Sequence, residues 1–476
     1  MPAFAGLQTN LLTWLILAGL TACWMISVRF VPEWSSEGWR SLLKSLYGIV
    51  WLDFGLDVVL RFLMLSYNAV EWGNGSPRMM ALAVSTVNTT LAYCGLFWIA
   101  VTLAYAFAVR RRGAGPLVVG RMFTLEFAYG AAIPVAVLAS VAYYLVDGQH
   151  LPLALITPLG LLAGLYMVPA AIVWWHHFAQ PGPWWRIGSI HAIVLLPVVV
   201  HGYCSPYREN LAPILLIPLI AAMFAGRRPT LRKVVPVGLV CLFLLSSVVS
   251  SYRRVKWENV RPEEVAREFR AASFADWVSG TWAEPMHRFH GFDSMLLTVA
   301  LVPAMEPHSG RNVLVAPIVR GFVPRFIYSG KGAADAGMNF GTRIWAFDDP
   351  TTRENSGASI APSMPGDLYD AGGVLYIALG GLLFGCLLGL VDGWKGHLAA
   401  FSGAAITALV ATQCAMSVER DFDNSLATLI QTLLVFVLSA ALVALARRRN
   451  PEFATESHSK SHSNFDSNFD PTLERS

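Results

Sequence analysis

Long apolar runs broken by short polar clusters occupy most of this chain. Low-charge windows fall at about 10–29, 43–65, 81–109, 122–146, 152–175, 187–203, 209–226, 234–251, 372–391, 398–416 and 424–446. A helix needs about 20 apolar residues to cross a bilayer, so the pattern predicts eleven spans. No positive n-region precedes the first window and no A-x-A site follows it, which marks a retained span rather than a cleaved signal. The expected fold is an all-α polytopic integral membrane protein with about 11 transmembrane helices. About eight spans form an N-terminal bundle over 1–251, a large loop with short helices covers 252–371, and about three spans cover 372–449. The tail over 450–476 contains HSKSHS and SNFDSNFD. Such a polar stretch buries too little surface to fold and is expected to be disordered.

Lys and Arg in short loops set orientation. With the N-terminus outside, the inner loops carry 16 of them, among them Arg110 to Arg112, Arg227, Arg228, Lys395 and Arg447 to Arg449, and the outer short loops only Arg78, Arg208 and Arg420. The C-terminus is then inside and the long loop outside. Composition sharpens this division. Hydrophobic residues make up 55% of the 476 and charged residues 14%, against about a quarter charged in soluble proteins. Of the 66 charges, 27 lie between Tyr252 and Ala371, so the charged loop and the apolar body belong to different solvents. A net charge of +4, scattered along the chain, is too small to suggest a nucleic-acid binder.

The six cysteines are dispersed, without C-x-x-C or Cys/His metal spacing, and read as small hydrophobes. Charges inside spans need more explanation. Asp53, Asp57 and Arg61 recur every four residues in the second window, where each ionised group costs at least about 2.5 kcal/mol unless it meets water or a partner. Two readings stay open: an Asp57 to Arg61 pair within the helix, or a polar face lining a cavity. Arg121 with Glu126 reads as an interfacial pair, and His191 and His201 as packing residues.

Unusual residues collect on the outer side. HGYCSPYRENL puts Arg208 and Glu209 at the mouth of the seventh span, and SSYRRVKWENV puts Arg253, Arg254 and Lys256 at headgroup level. EEVAREFRAASFADWV, with Val265, Phe269, Phe274 and Trp277 apolar, suits either a surface-lying amphipathic helix or one folded on the loop. RFHGFDSMLLTVALVPAM brings Arg288, His290 and Asp293 to an apolar run too short to span, a buried loop helix or re-entrant segment. FVPRFIYSGKGAADAGMNFGTRIW supplies Arg325, Lys331 and Arg343 among glycines. SMPGDLYDAGG closes the loop with an expected turn at Pro365-Gly366, and glycines 372, 373, 380, 381, 385 and 389 follow, as close helix packing requires.

Guanidinium forks at the membrane boundary suit a phosphate or pyrophosphate, and Trp257, Trp277, Trp282, Tyr328, Trp345 and Tyr369 supply faces for sugar stacking. A lipid-linked sugar pyrophosphate needs both. The chain has no Walker A sequence, no G-x-S-x-G and no metal-binding carboxylate pair in a nucleotide fold. The DFD at Asp421 to Asp423 sits beside Arg420 and reads as a local salt bridge.

YRENL, RFHGFD, FVPRFIYSGK and SMPGDLYDAGG, in this order with the large outer loop, resemble the Wzy-type O-antigen and exopolysaccharide polymerases, the oligosaccharide repeat-unit polymerases. The likeness covers about Tyr203 to Arg449. Gly332 departs from it, standing after Lys331 where the family usually has proline. The resemblance implies a GT-C-like, metal-independent membrane glycosyltransferase with no cofactor, in the bacterial inner membrane with its large loop periplasmic. It implies joining of undecaprenyl-pyrophosphate-linked repeat units, beside a flippase and a chain-length regulator, with no nucleic-acid partner. On that expectation Arg208, Arg288, Arg325 and Lys331 clamp the pyrophosphate, helped by Arg253, Arg254 and Arg343. The general base is one of His290, Asp293 and Glu209, and Asp367 and Tyr369 position the sugar. An O-antigen ligase is the nearest alternative and a flippase the next; the chain lacks the internal repeat common in transporters.

Overall fold

The structure, a computed structural model, describes residues 7–32, 34–67, 82–111, 125–147, 163–180, 196–201, 212–227, 260–271, 291–323, 362–395, 400–414 and 420–449, with single positions 159, 232, 236, 255 and 398. These residues contain helices and no strand. In chain order they are α1 (Leu11–Ser27), α2 (Trp34–Glu37), α3 (Trp39–Lys44), α4 (Leu46–Phe54), α5 (Arg61–Ser66), α6 (Val84–Arg111), α7 (Leu125–Asp147) and α8 (Met167–Ala179). There follow α9 (Ala212–Phe224), α10 (Pro262–Ala271), α11 (Gly291–Leu301), α12 (Ala316–Phe322), α13 (Met364–Lys395), α14 (Ala400–Cys414) and α15 (Phe422–Arg449). Five stretches, Leu11–Phe30, Val84–Arg110, Ala128–Val146, Met364–Lys395 and Phe422–Ala441, are long and apolar enough to cross a membrane. Leu103, Ile133, Leu138, Leu375 and Leu438 point outward from them, as a lipid-solvated surface allows and an aqueous one penalises. This is a multi-pass α-helical membrane protein. The 234–251 window, most of 187–203, the 450–476 tail, Cys204, Cys241, His191 and the side chains of Arg121 and Glu126 lie outside the described residues.

The central contact is α13 on α6, and the glycine stripe makes it. Gly381, Gly385 and Gly389 recur every four residues and so share one face. A Cβ at Gly381 would stand 2.8 Å from Ala100 Cβ and 2.9 Å from the Phe97 carbonyl oxygen; one at Gly389 would stand 2.7 Å from Ala108 Cβ, and one at Gly385 would collide with the Val101 carbonyl. Without side chains on this face the backbones approach closely, which is how helices gain dispersion energy where lipid removes the hydrophobic drive.

One end of the bundle is locked by Asp392, whose carboxylate is 5% exposed for the whole residue. It accepts from Ser45 Oγ (2.6 Å), Tyr105 Oη (3.0 Å), Leu46 N (3.0 Å) and Tyr47 N (3.3 Å) and pairs with Lys395 (2.7 Å). Those two backbone N–H groups open α4, so a carboxylate from a distant helix supplies the cap and favourable dipole interaction that the first turn needs. Phe30 under Arg110 lies at this same end. At the opposite end Thr13 Oγ1 meets Asn88 Oδ1 at 2.6 Å. Hence α1, α6 and α13 run in one direction, while α4 and α5 run in the other.

Between α4 and α5, residues Gly55–Leu60 form a π-helical segment. Gly55 lies against the Trp24 ring, and Trp24 stacks on Trp51 with 4.2 Å between centroids, each indole N–H donating to the other residue's carbonyl. The wider turn carries Asp57, and Asp53, Asp57 and Arg61 are all buried. Across the bundle, Arg61 Nη2 pairs with Asp293 Oδ2 at 2.6 Å and Nε donates to Asp293 Oδ1 at 3.0 Å. The fork therefore joins the second span to α11, a contact that the expected Asp57 to Arg61 pair did not contain. The run after Asp293 is indeed a short buried helix, with Phe292, Met295 and Leu296 fully enclosed. In α10, Val265 is buried while Glu263, Glu264 and Arg267 are exposed, the two-sided pattern expected of it. His201 packs as a ring, stacked on Tyr143 at 3.9 Å.

Candidate functional site

The end of the bundle opposite Asp392 gathers four buried carboxylates, Asp367, Asp370, Asp421 and Asp423. No turn forms at Pro365-Gly366. The chain enters α13 at Met364 instead, with Pro365 in the first turn, where its missing N–H costs nothing. The helix breaks at Gly372 (φ −164°, ψ 25°) and Gly373 (φ 71°, ψ −156°), the second in the left-handed region open to glycine. The break removes the donors that would have satisfied the carbonyls of Tyr369, Asp370 and Ala371. The loop after α11 replaces them: His308 Nδ1 sits 2.8 Å from the Tyr369 oxygen, Ser309 N donates to Asp370 O (2.8 Å) and Gly310 N to Ala371 O (3.1 Å).

This docking delivers Arg311. Its Nη2 lies 2.5 Å from Asp367 Oδ1 and 3.2 Å from Asp370 Oδ2, and its Nε donates to Ser309 Oγ at 3.3 Å. The two carboxylate side chains are 0% and 3% exposed, whereas the arginine is 36% exposed. Nη1 has no partner among the described residues. Burial works against the Arg311 charge, but Asp367 and Asp370 outweigh it and raise its pKa. The result is a guanidinium fixed on one side and open on the other.

The DFD segment completes the group. Asp423 N donates to Asp367 Oδ2 (3.1 Å), and Asp421 caps α15 by accepting from Asn424 N at 2.6 Å. Four aspartates from two distant segments thus gather here, two of them paired with Arg311. Burial first, then the neighbouring charge of Asp367 and that of Asp423, pushes Asp421 up to about 7 against the Asn424 N–H and Arg311. A carboxyl that holds its proton in the folded state to about pH 7, but loses it near pH 4 when unfolded, favours the fold below pH 4. That contribution is lost as pH rises toward and through 7. The thermal midpoint of the detergent-solubilised protein is therefore expected to fall between pH 5 and 8, with a shallower fall for Asp421→Asn, whose amide oxygen keeps the cap.

Three of the sequence-predicted site residues are described. Asp293 belongs to the Arg61 fork, and Thr298, five residues further along α11, reaches the start of α13 beside Gly366, about 7–8 Å along the helix axis. Asp367 faces Arg311. Tyr369, 6% exposed, lies between Tyr93 (5.1 Å between centroids) and His308 (5.3 Å), so its ring supports the site from beneath. Arg208, Glu209, Arg253, Arg254, Arg288, His290, Arg325, Lys331 and Arg343 lie outside the described residues, as do Trp257, Trp277, Trp282, Tyr328 and Trp345. His308, Arg311 and Asp370 were missed. The turn-forming Ser-Gly pair between a histidine and an arginine, just beyond a buried helix, was their one local signal. No group of three or more His, Cys, Asp or Glu among the described residues has metal-holding geometry. Comparisons with protein-family models, with curated proteins and with solved structures give no match.

Proposed function

We propose that this protein is a membrane glycosyltransferase of the bacterial inner membrane that polymerises undecaprenyl-pyrophosphate-linked oligosaccharide repeat units, with the Arg311 end of the bundle facing the periplasm. The observation that carries the reading is Arg311 itself. SMPGDLYDAGG, one of the segments that resemble repeat-unit polymerases, supplies the two aspartates that orient its fork. A guanidinium held by carboxylates on one side and open at Nη1 is organised to donate to a phosphate oxygen without reorganising during the reaction. The loop charge count that puts the N-terminus outside also puts this end outside, and the common direction of α1, α6 and α13 agrees with it.

On this reading the growing chain is the donor. A hydroxyl of the next lipid-linked unit attacks its anomeric carbon and lipid pyrophosphate leaves, its developing charge met by Arg311 together with Arg208, Arg288, Arg325 and Lys331 from the sequence. No metal takes part. Arg253, Arg254 and Arg343 help to hold the pyrophosphate and its sugar, and a chain-length regulator and a flippase act in the same pathway.

Deletion of the gene in its source cells tests the reading. The expected result is loss of long glycan with single repeat units still transferred to the surface acceptor. Accumulation of long, untransferred lipid-linked chains points instead to a ligase, and retention of single units on the cytoplasmic face to a flippase.

A further inference from the structure

We propose that His308 Nε2 accepts the proton of the attacking hydroxyl, an assignment that rests on the polymerase reading of this site. The Tyr369 carbonyl has no hydrogen to give, so the 2.8 Å contact to His308 requires the proton on Nδ1. The neutral ring then carries its lone pair on Nε2. The ring is held in place as well as in tautomer: it stands edge-on to Tyr369 at 82° with 5.3 Å between centroids. It also lies over the helix break, where a Cβ on Gly373 would be 3.4 Å from Nε2. Glycine at 373 therefore serves both the turn and the space beneath the imidazole.

Three further facts single this group out. His308 is exposed, so a substrate can reach it, and no described residue bonds to Nε2. Arg311, three residues on, is anchored to the same short segment, with Asp367 and Asp370 on either side of the Tyr369 that holds the histidine. The phosphate donor and the proton acceptor thus share one rigid mount. The other groups at this end are engaged: Asp293 in the Arg61 fork, Asp367 and Asp370 on Arg311, and Asp421 as a helix cap.

The step balances without another reactant. The hydroxyl oxygen bonds to the anomeric carbon, the bond from that carbon to the pyrophosphate oxygen breaks with its electron pair on the leaving group, and the hydroxyl proton passes to Nε2. The imidazolium then releases it to outer water.

Two substitutions separate the base from the mount. Asparagine places an amide N–H where Nδ1 stands and so keeps the bond to Tyr369, but has nothing at Nε2. Glutamine places an amide near Nε2, which cannot take up a proton at working pH. The probe is lipid-linked oligosaccharide extracted from source cells that lack this chain, given to the purified full-length protein in liposomes. His308→Asn is expected to keep its thermal midpoint and KM while turnover falls about 100-fold or more, with His308→Gln equally slow. If the asparagine form does not fold, the glutamine form is judged alone. A folded variant of either kind whose turnover stays within about threefold of wild type overturns the assignment. A wild type that turns over none of the probe overturns the polymerase reading and the assignment together.

Discussion

Arg61→Leu is expected to destabilise the protein by about 3–5 kcal/mol, the usual cost of removing one partner from a buried ion pair. Arg61 is 0% exposed and the Asp293 side chain 5%, and the Arg61 fork is the only partner of that carboxylate among the described residues. The leucine variant strands a charge among Phe62, Phe292 and Leu296. Arg61→Leu with Asp293→Leu removes both charges and fills the space with apolar volume, so most of the loss is expected to return. Yield of monodisperse protein and thermal midpoint in detergent measure both. The double variant also decides what Asp293 does. If the pair only anchors α11, the double variant still makes long glycan. If it folds and makes none, Asp293 is the general base and His308 is not.

The second large effect is expected at Arg311. Alanine there would leave Asp367 and Asp370 buried without their counter-charge and confuse folding with chemistry. Lysine keeps a cation near both carboxylates but has no planar fork and no second nitrogen to present. Arg311→Lys is therefore expected to assemble normally and to lose about 100-fold to 1,000-fold in glycan extension, the scale set by losing one preorganised donor to a developing negative charge. Wild-type ladder length in cells making the lysine variant at normal level would remove Arg311 from the mechanism.

How legible these features were in the sequence depended on the range over which each is encoded. Span windows are local averages, and the five described helices long and apolar enough to cross a membrane stand on five of the eleven windows. The glycine stripe was equally readable, because Gly381, Gly385 and Gly389 mark a face by spacing alone. Pro365-Gly366 misled for a physical reason: proline followed by glycine suits a β-turn, yet proline equally suits a helix's first turn, and the packing of Gly366 against Thr298 selects the helix. The Arg61 fork and the DFD contact with Asp367 are different again. Asp57 stands four residues from Arg61 while Asp293 is 232 away, and Arg420 adjoins Asp421 while Asp367 lies in another span. A reading from neighbours looks to the near residue in each case, whereas these contacts join residues far apart in the chain. Arg311 carried no more local signal than the Ser-Gly pair before it, since its importance comes from a helix break more than fifty residues later.

The most direct measurement is glycan extension by the purified full-length protein in liposomes with lipid-linked oligosaccharide as its only substrate. A ladder of lengthening lipid-linked chains, with one polyprenyl pyrophosphate released per unit added and no dependence on divalent metal, is the result predicted. Movement of intact units across the bilayer, or transfer only to an added lipid acceptor without a ladder, would contradict it.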